Sequence, residues 1–140
     1  MDAIVPYLMF NGNTAEALSF YCKALNGTVV SQQSFGESPA ENPADHEDKI
    51  MQAAFKAGNV GFTVSDSIPG HPKISGTNLS VSFNFQSVDS IEKTFAALSE
   101  DAEVTMLLQD AFRGAKFGML TDDFGFDKML NHDLKKVDKL

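Results

Sequence analysis

The sequence predicts an α+β fold built from two successive units, each a strand, then a helix, then further strands. Three observations carry this. Apolar residues recur with a period of two in several segments, most strictly where Leu79, Val81, Phe83 and Phe85 alternate with Ser80, Ser82 and Asn84. They recur at helical spacing in two segments, each opened by a capping residue, Asn13 and Ser87. The order of elements also restarts after the loop SIPGHPKISG. At 140 residues the chain is read as one domain, 1–140, with a first module over about 1–68, a second over about 77–132 and a tail at 133–140.

The first strand covers AIVPYLMF at 3–10, with Ile4, Leu8 and Phe10 on one face and Tyr7 and Met9 on the other. Asn13-Thr14-Ala15-Glu16 places a cap residue three positions before a Glu, a capping-box arrangement. The helix that follows is expected to bury Ala15, Leu18, Tyr21 or Cys22, and Leu25, and to end at Asn26-Gly27, where Gly accepts the left-handed conformation. Residues 28–35 form a second strand, and GESPAENPADHED reads as a loop. Segments 49–56 and 60–66 form a hairpin about Ala57-Gly58-Asn59. In the second module Ser87 caps a helix with the stripe Val88, Ile91, Phe95, Leu98. A short strand at 104–108 and a hairpin of 116–121 with 126–131 complete it.

Composition narrows the function classes. A hydrophobic content of 43% with 12 Phe is enough for a core. A formal charge of −8 disfavours nucleic acid and anionic membrane surfaces, whose phosphates would repel it. The one cysteine, Cys22, allows no intrachain disulfide, and in a helical pattern it is expected to be buried and inert. No Cys/His pair has zinc spacing. The N-terminal stretch carries Asp2 and no basic region, so it is not read as a signal peptide, and no apolar run reaches membrane-spanning length. An acidic cytoplasmic protein is the expectation.

The halves align by pattern more than by letters. One offset places Leu18 on Ile91, Ala24 on Ala97, Leu25 on Leu98 and Tyr7 on Ser80, and a shorter one places Thr63 on Met129. The run Pro6-Tyr7-Leu8-x-Phe10-x-Gly12-Asn13-x-Ala15-Glu16-Ala17-Leu18-x-Phe20-Tyr21 resembles the opening of the PhnB-like family of the glyoxalase / bleomycin resistance / dioxygenase (vicinal oxygen chelate) superfamily. Asp48-Lys49-Ile50-Met51 with Val64-Ser65-Asp66 and Pro69-Gly70 agrees. So does Val104-Thr105-Met106 through Gly114-Ala115-x-Phe117-Gly118 and Asp122-x-Phe124-Gly125 to Met129-Leu130-Asn131. Together these cover nearly the whole chain. The resemblance implies two βαβββ modules whose strands curl into a cup, and a homodimer. Some members of the family carry a methyltransferase label, but no Gly-rich nucleotide-binding turn follows a strand here.

The resemblance also shows where this chain departs. Metal enzymes of the superfamily place a His on each opening strand and a Glu or His on each closing strand. Those positions here read Tyr7, Ser80, Thr63 and Met129, a set too poor in carboxylate and imidazole to hold a divalent metal. Gln52 stands where a His is frequent, and Arg113 and Lys128 stand where Trp is frequent.

No metal or other cofactor is therefore expected. The cup is expected to be lined by Tyr7, Gln52, Thr63, Ser80, Ser82, Asn84 and Met129, with Phe112 and Arg113 at its mouth. Arg113 either draws an anion or is an ordinary surface residue, and Phe112 either stacks on a ligand or plugs the core. Lys128, on the face opposite Met129, reads as a snorkelling surface lysine. His46, His71 and His132 read as solvated, and the methionines as core filler. No nucleophile–base set is visible, so catalytic residues are not assignable. The leading expectation is a metal-independent protein that binds a small molecule. A metal-dependent lyase or dioxygenase with other ligands, and a structural interaction module, are the competing readings.

Overall fold

A computed structural model describes residues 1–38, 44–68, 70–111 and 115–133. The chain divides into two compact units, Met1–Ile74 and Ser75–Leu140. The first contains β1 (Tyr7–Phe10), α1 (Thr14–Ala24), β2 (Thr28–Ser34), β3 (Ile50–Ala57) and β4 (Val60–Asp66). The second contains β5 (Val81–Asn84), α2 (Val88–Leu98), β6 (Glu103–Asp110), β7 (Ala115–Thr121) and β8 (Asp127–Asp133). Each unit is a four-stranded mixed sheet, ordered β1-β4-β3-β2 and β5-β8-β7-β6. In both, the opening strand runs parallel to the closing strand and the other pairs are antiparallel. The same topology thus occurs twice, as the restarting pattern predicts.

One face of each sheet is covered by its helix. In the first unit α1 contributes Ala17, Leu18, Tyr21 and Ala24 to a core shared with Leu8, Phe10, Ala53, Phe55, Phe62 and Val64. Tyr21 meets Phe62 edge-on at 5.5 Å, and Phe62 stacks on Phe55 at 4.8 Å. In the second unit Ile91, Phe95 and Leu98 of α2 are buried, as are Leu120 and Leu130 of the sheet. Ser87 caps α2, its hydroxyl accepting from the Ser90 amide at 3.0 Å.

The α1 stripe differs from the sequence reading. Ala15 is exposed, Cys22 and Leu25 are half-buried, and Thr14, Ala17 and Ala24 take the inner face. The reason lies at the helix start. Asn13 makes no side-chain cap bond. Instead the buried Asp66, at the end of β4, accepts from the amides of Gly12 (2.9 Å) and Thr14 (3.1 Å) and from the Thr14 hydroxyl (2.7 Å). A tertiary carboxylate thereby replaces the local cap and sets the rotation of the helix.

At the other end of α1 it is Asn26, not Gly27, that takes the left-handed conformation, with φ 53°. Gly27 is required for space: a Cβ there would lie 2.7 Å from the Lys56 carbonyl oxygen and would overlap the Phe55 ring. Gly27→Ala is therefore expected to cost about 1–3 kcal/mol by overpacking, read as a lower urea midpoint.

Several other side chains depart from the sequence expectation. Lys128 is not a snorkelling surface lysine but is 1% exposed, and its ammonium lies 2.5 Å from the Asp122 carboxylate. The alternation places Lys128 on the helix-covered face, and Asp122 in the turn before β8 can reach it there. His132 is also buried, with its Nδ1 2.7 Å from the Phe85 carbonyl oxygen, to which the ring N–H donates. His46 is half-buried against Phe35, at 4.6 Å between ring centres, while His71 is exposed. No methionine belongs to the buried core of the described residues. Leu79 precedes β5 and is exposed. The expected tail, beyond Asp133, lies outside the described residues.

Candidate functional site

Each sheet has a second face that its own helix does not cover, and Tyr7, Gln52, Thr63, Ser82 and Met129 fall on these faces. Strand pairing gives their order. In the first unit Tyr7 pairs with Thr63, Thr63 with Ala54, and Ala54 with Ser31, one row crossing all four strands. Beside it lie Met9 paired with Ser65 and Gln52 paired with Gln33. Tyr7 and Met9 are 45% and 44% exposed, large fractions for an aromatic and an apolar side chain on a strand. Thr63 and Ala54 are half-buried, Gln52 is exposed and Ser65 is buried. A phenol, two hydroxyls, an amide and a thioether thus share one neutral, partly wet surface.

The second unit repeats the geometry with different chemistry. Ser82 pairs with Met129, Met129 with Met119, and Met119 with Met106. The neighbouring row is Asn84, Asn131, Phe117 and Gln109. Asn131 Nδ2 stands 3.5 Å from Asn84 Oδ1, and on the other side of the methionine row Thr121 donates to Asp127 at 2.7 Å.

The sequence-predicted residues are brought together in two groups. Tyr7, Thr63 and Gln52 share the face of the first unit, and Ser82 and Met129 share that of the second. Ser80 precedes β5 and is not in its ladder. The partner of Met129, and so the counterpart of Tyr7, is Ser82, two residues further on. The shift preserves the face, because strand side chains alternate. The opening strands and the helices are therefore not related by one offset. Ile91, Phe95 and Leu98 match Ala17, Tyr21 and Ala24, one residue from the alignment read off the letters. Phe112 and Arg113 lie outside the described residues.

What the sequence reading missed is the alignment of Met119 and Met106 with Met129. The signal was present in the alternation along three strands, but only the pairing register converts it into a row. A bulge at Val30 of β2 recurs at Thr105 of β6, each the unpaired residue just before the row. That irregularity hides the phase of β6 from a simple count.

The family resemblance points to the opening and closing strand of each unit as the places where related metal enzymes carry their ligands. The paired positions hold Tyr7 with Thr63 and Ser82 with Met129, a phenol, two hydroxyls and a thioether. Divalent zinc, nickel, manganese or iron draws its affinity from imidazole, carboxylate or thiolate, so these residues do not fit such an ion. Among the described residues no group of three or more His, Cys, Asp or Glu is placed to hold a metal. No helix among them is long and apolar enough to cross a membrane.

Comparison with known proteins agrees with this architecture. The model of the Glyoxalase/Bleomycin resistance protein/Dioxygenase superfamily matches residues 3–129, and the chain belongs to that superfamily. Protein PA1353 of Pseudomonas aeruginosa, a solved structure, is 42% identical, with a TM-score of 0.85 over 95% of this chain and 98% of that one. The PhnB protein of Bacillus cereus is 25% identical, with a TM-score of 0.77 over 94% and 99% of the two chains. Protein YjdN of Escherichia coli K12 is 28% identical over 136 residues, 90% of this chain and 92% of its own. Within the superfamily the chain is a PhnB-like member.

Proposed function

We propose that the protein binds a small organic molecule on the helix-free sheet faces, without a divalent metal, and that it does so as a cytoplasmic homodimer. The observation that carries the reading is the Tyr7 row. An aromatic ring 45% exposed stands beside Thr63, with Ser65, Gln52 and Met9 in the adjoining row. Such a surface offers an apolar platform with a few neutral hydrogen-bonding groups, the usual composition of a site for a small molecule. The superfamily membership supports a ligand-binding role, and the donor set supports its independence from divalent ions. The strands at one edge of each sheet, β2 and β6, carry Val30 at 62% and Leu107 at 72% exposure, which supports association of two copies. The acidic charge and single cysteine are in keeping with a reducing compartment.

A thermal-shift screen of small organic molecules tests the reading. A true ligand at about 100 times its Kd is expected to stabilise the fold by about 2.7 kcal/mol. Chelator treatment is expected to leave that shift in place. Tyr7→Phe is expected to weaken the same ligand by about 0.5–1.5 kcal/mol, the net worth of one hydrogen bond, with little change in unliganded stability. A shift abolished by the chelator, or a Kd unchanged in both Tyr7→Phe and Tyr7→Ala, would rule out the proposed site.

A further inference from the structure

Three of the six methionines of the chain occupy one cross-strand row, Met106–Met119–Met129, ending at Ser82. All three strands present these side chains on the face that α2 does not cover. Met119 and Met129 are half-buried and Met106 is 39% exposed. The internal repeat provides the control for whether the fold itself demands methionine there. In the first unit the same three places hold Ser31, Ala54 and Thr63, so it does not. β-Branched and aromatic residues suit a strand better than Met, which makes three consecutive thioethers a chemical choice more than a packing one.

Side chains directly opposite on neighbouring strands have Cβ atoms about 4.5–5.5 Å apart. Methionine has three rotatable bonds beyond the backbone, so thioethers on three adjacent strands can turn toward one point. Thioethers are soft ligands that bind Cu(I)-class ions and give little affinity to hard or borderline divalent cations. Phe117, two residues before Met119 and on the same face, offers a ring to a bound cation. We propose that the row Met106–Met119–Met129, with Ser82 at its end, is a binding site for a soft monovalent cation of the Cu(I)/Ag(I) class. The site uses the face of the second unit alone and stands whether or not an organic ligand binds the protein.

The test uses the full chain with Cys22→Ser, which removes the one competing thiol, and methionine carrying a carbon-13 methyl label. Ag(I) serves as the redox-inert probe. A single equivalent is expected to move the methyl resonances of Met106, Met119 and Met129 together while those of Met9 and Met51 stay in place. Zn(II) is expected to move none of them. Met119→Leu, which conserves volume, should weaken Ag(I) at least about tenfold. Shifts spread evenly over all the methionines, no shifts at all, or an unchanged Ag(I) affinity in Met119→Leu would each overturn the proposal. The methyl spectrum of the protein with its methionines intact decides the matter even if the Leu variant does not fold.

Discussion

Asp122→Ala is expected to destabilise the protein by about 3–5 kcal/mol, the cost of stripping a buried charge of its partner. The Asp122 side chain is fully buried, and one carboxylate oxygen accepts the Lys128 ammonium at 2.5 Å. The other accepts from the amides of Phe124 (2.9 Å) and Phe126 (3.1 Å), and so shapes the turn between β7 and β8. Removing the carboxylate leaves an ammonium in the core and deprives two turn amides of an acceptor. Urea unfolding near neutral pH measures the loss. Lys128→Met alone is expected to cost less, because Asp122 keeps its two amide donors. The double variant should also cost less than Asp122→Ala, and a cycle in which the two losses simply add would show the pair to be uncoupled.

The pH dependence has a definite sign. Burial lowers the Lys128 pKa below the ordinary lysine value of 10.5, and attraction to Asp122 opposes that shift. Between the folded value and the ordinary one, the unfolded chain binds the proton that the folded chain has shed, so rising pH relieves the burial cost through that window. Without Asp122 the largest opposing attraction is lost, only the weaker pull of Asp127 remains, and the folded value falls further. The penalty of Asp122→Ala should therefore shrink as pH rises from neutrality toward the ordinary lysine value, because Lys128 can then shed its proton. A penalty constant with pH would mean that Lys128 reaches solvent or another anion.

Where the sequence was legible, local chemistry decided the outcome. Ser87 and the stripe Ile91, Phe95, Leu98 define α2 because the cap and the buried face lie within one segment. Strand β4 is likewise read at its full extent, since its apolar alternation ends at a hairpin turn on one side and at Asp66 on the other. Helix α1 was less legible because its cap comes from Asp66, remote in sequence, which leaves Asn13 without the role its residue type predicts. Lys128 was misread for a related reason. Its face follows from alternation, but its burial depends on a carboxylate six residues away folding back through a turn. The pairing of Met129 with Ser82 and not Ser80 depends on where β5 begins, and the repeat had no constant offset to reveal it. At α1 a contact remote in sequence overrode a local preference, and at Lys128 and Ser82 the turn geometry and the strand boundary decided, none of which periodicity alone encodes.

The second large effect is expected at Asp66, which holds the first unit together as Asp122 does the second. Asp66 is 4% exposed and accepts four hydrogen bonds. Its Oδ1 takes Gly12, Thr14 and the Thr14 hydroxyl, and its Oδ2 takes the Ile50 amide at 2.9 Å, tying the start of α1 and the start of β3 to the end of β4. Asp66→Ala orphans three backbone donors in a buried setting, and a loss of about 3–5 kcal/mol is expected, since each such donor costs about 1–3 kcal/mol and neighbours do not add fully. Asp66→Asn should cost less. Its amide oxygen can serve the Oδ1 donors, while its NH2 would face the Ile50 amide, donor against donor. Hydrogen exchange separates the two variants: Ala should free the Gly12, Thr14 and Ile50 amides together, and Asn chiefly Ile50. The consequence reaches the candidate site. Asp66 pairs with Phe10 at the far end of the same parallel ladder that sets Tyr7 opposite Thr63. If the Asp66 clasp fixes that register, Asp66→Asn should weaken a ligand held by Tyr7 even at temperatures where the fold is intact. An unchanged Kd in a folded Asp66→Asn protein would mean that the Tyr7–Thr63 row is held by its own ladder.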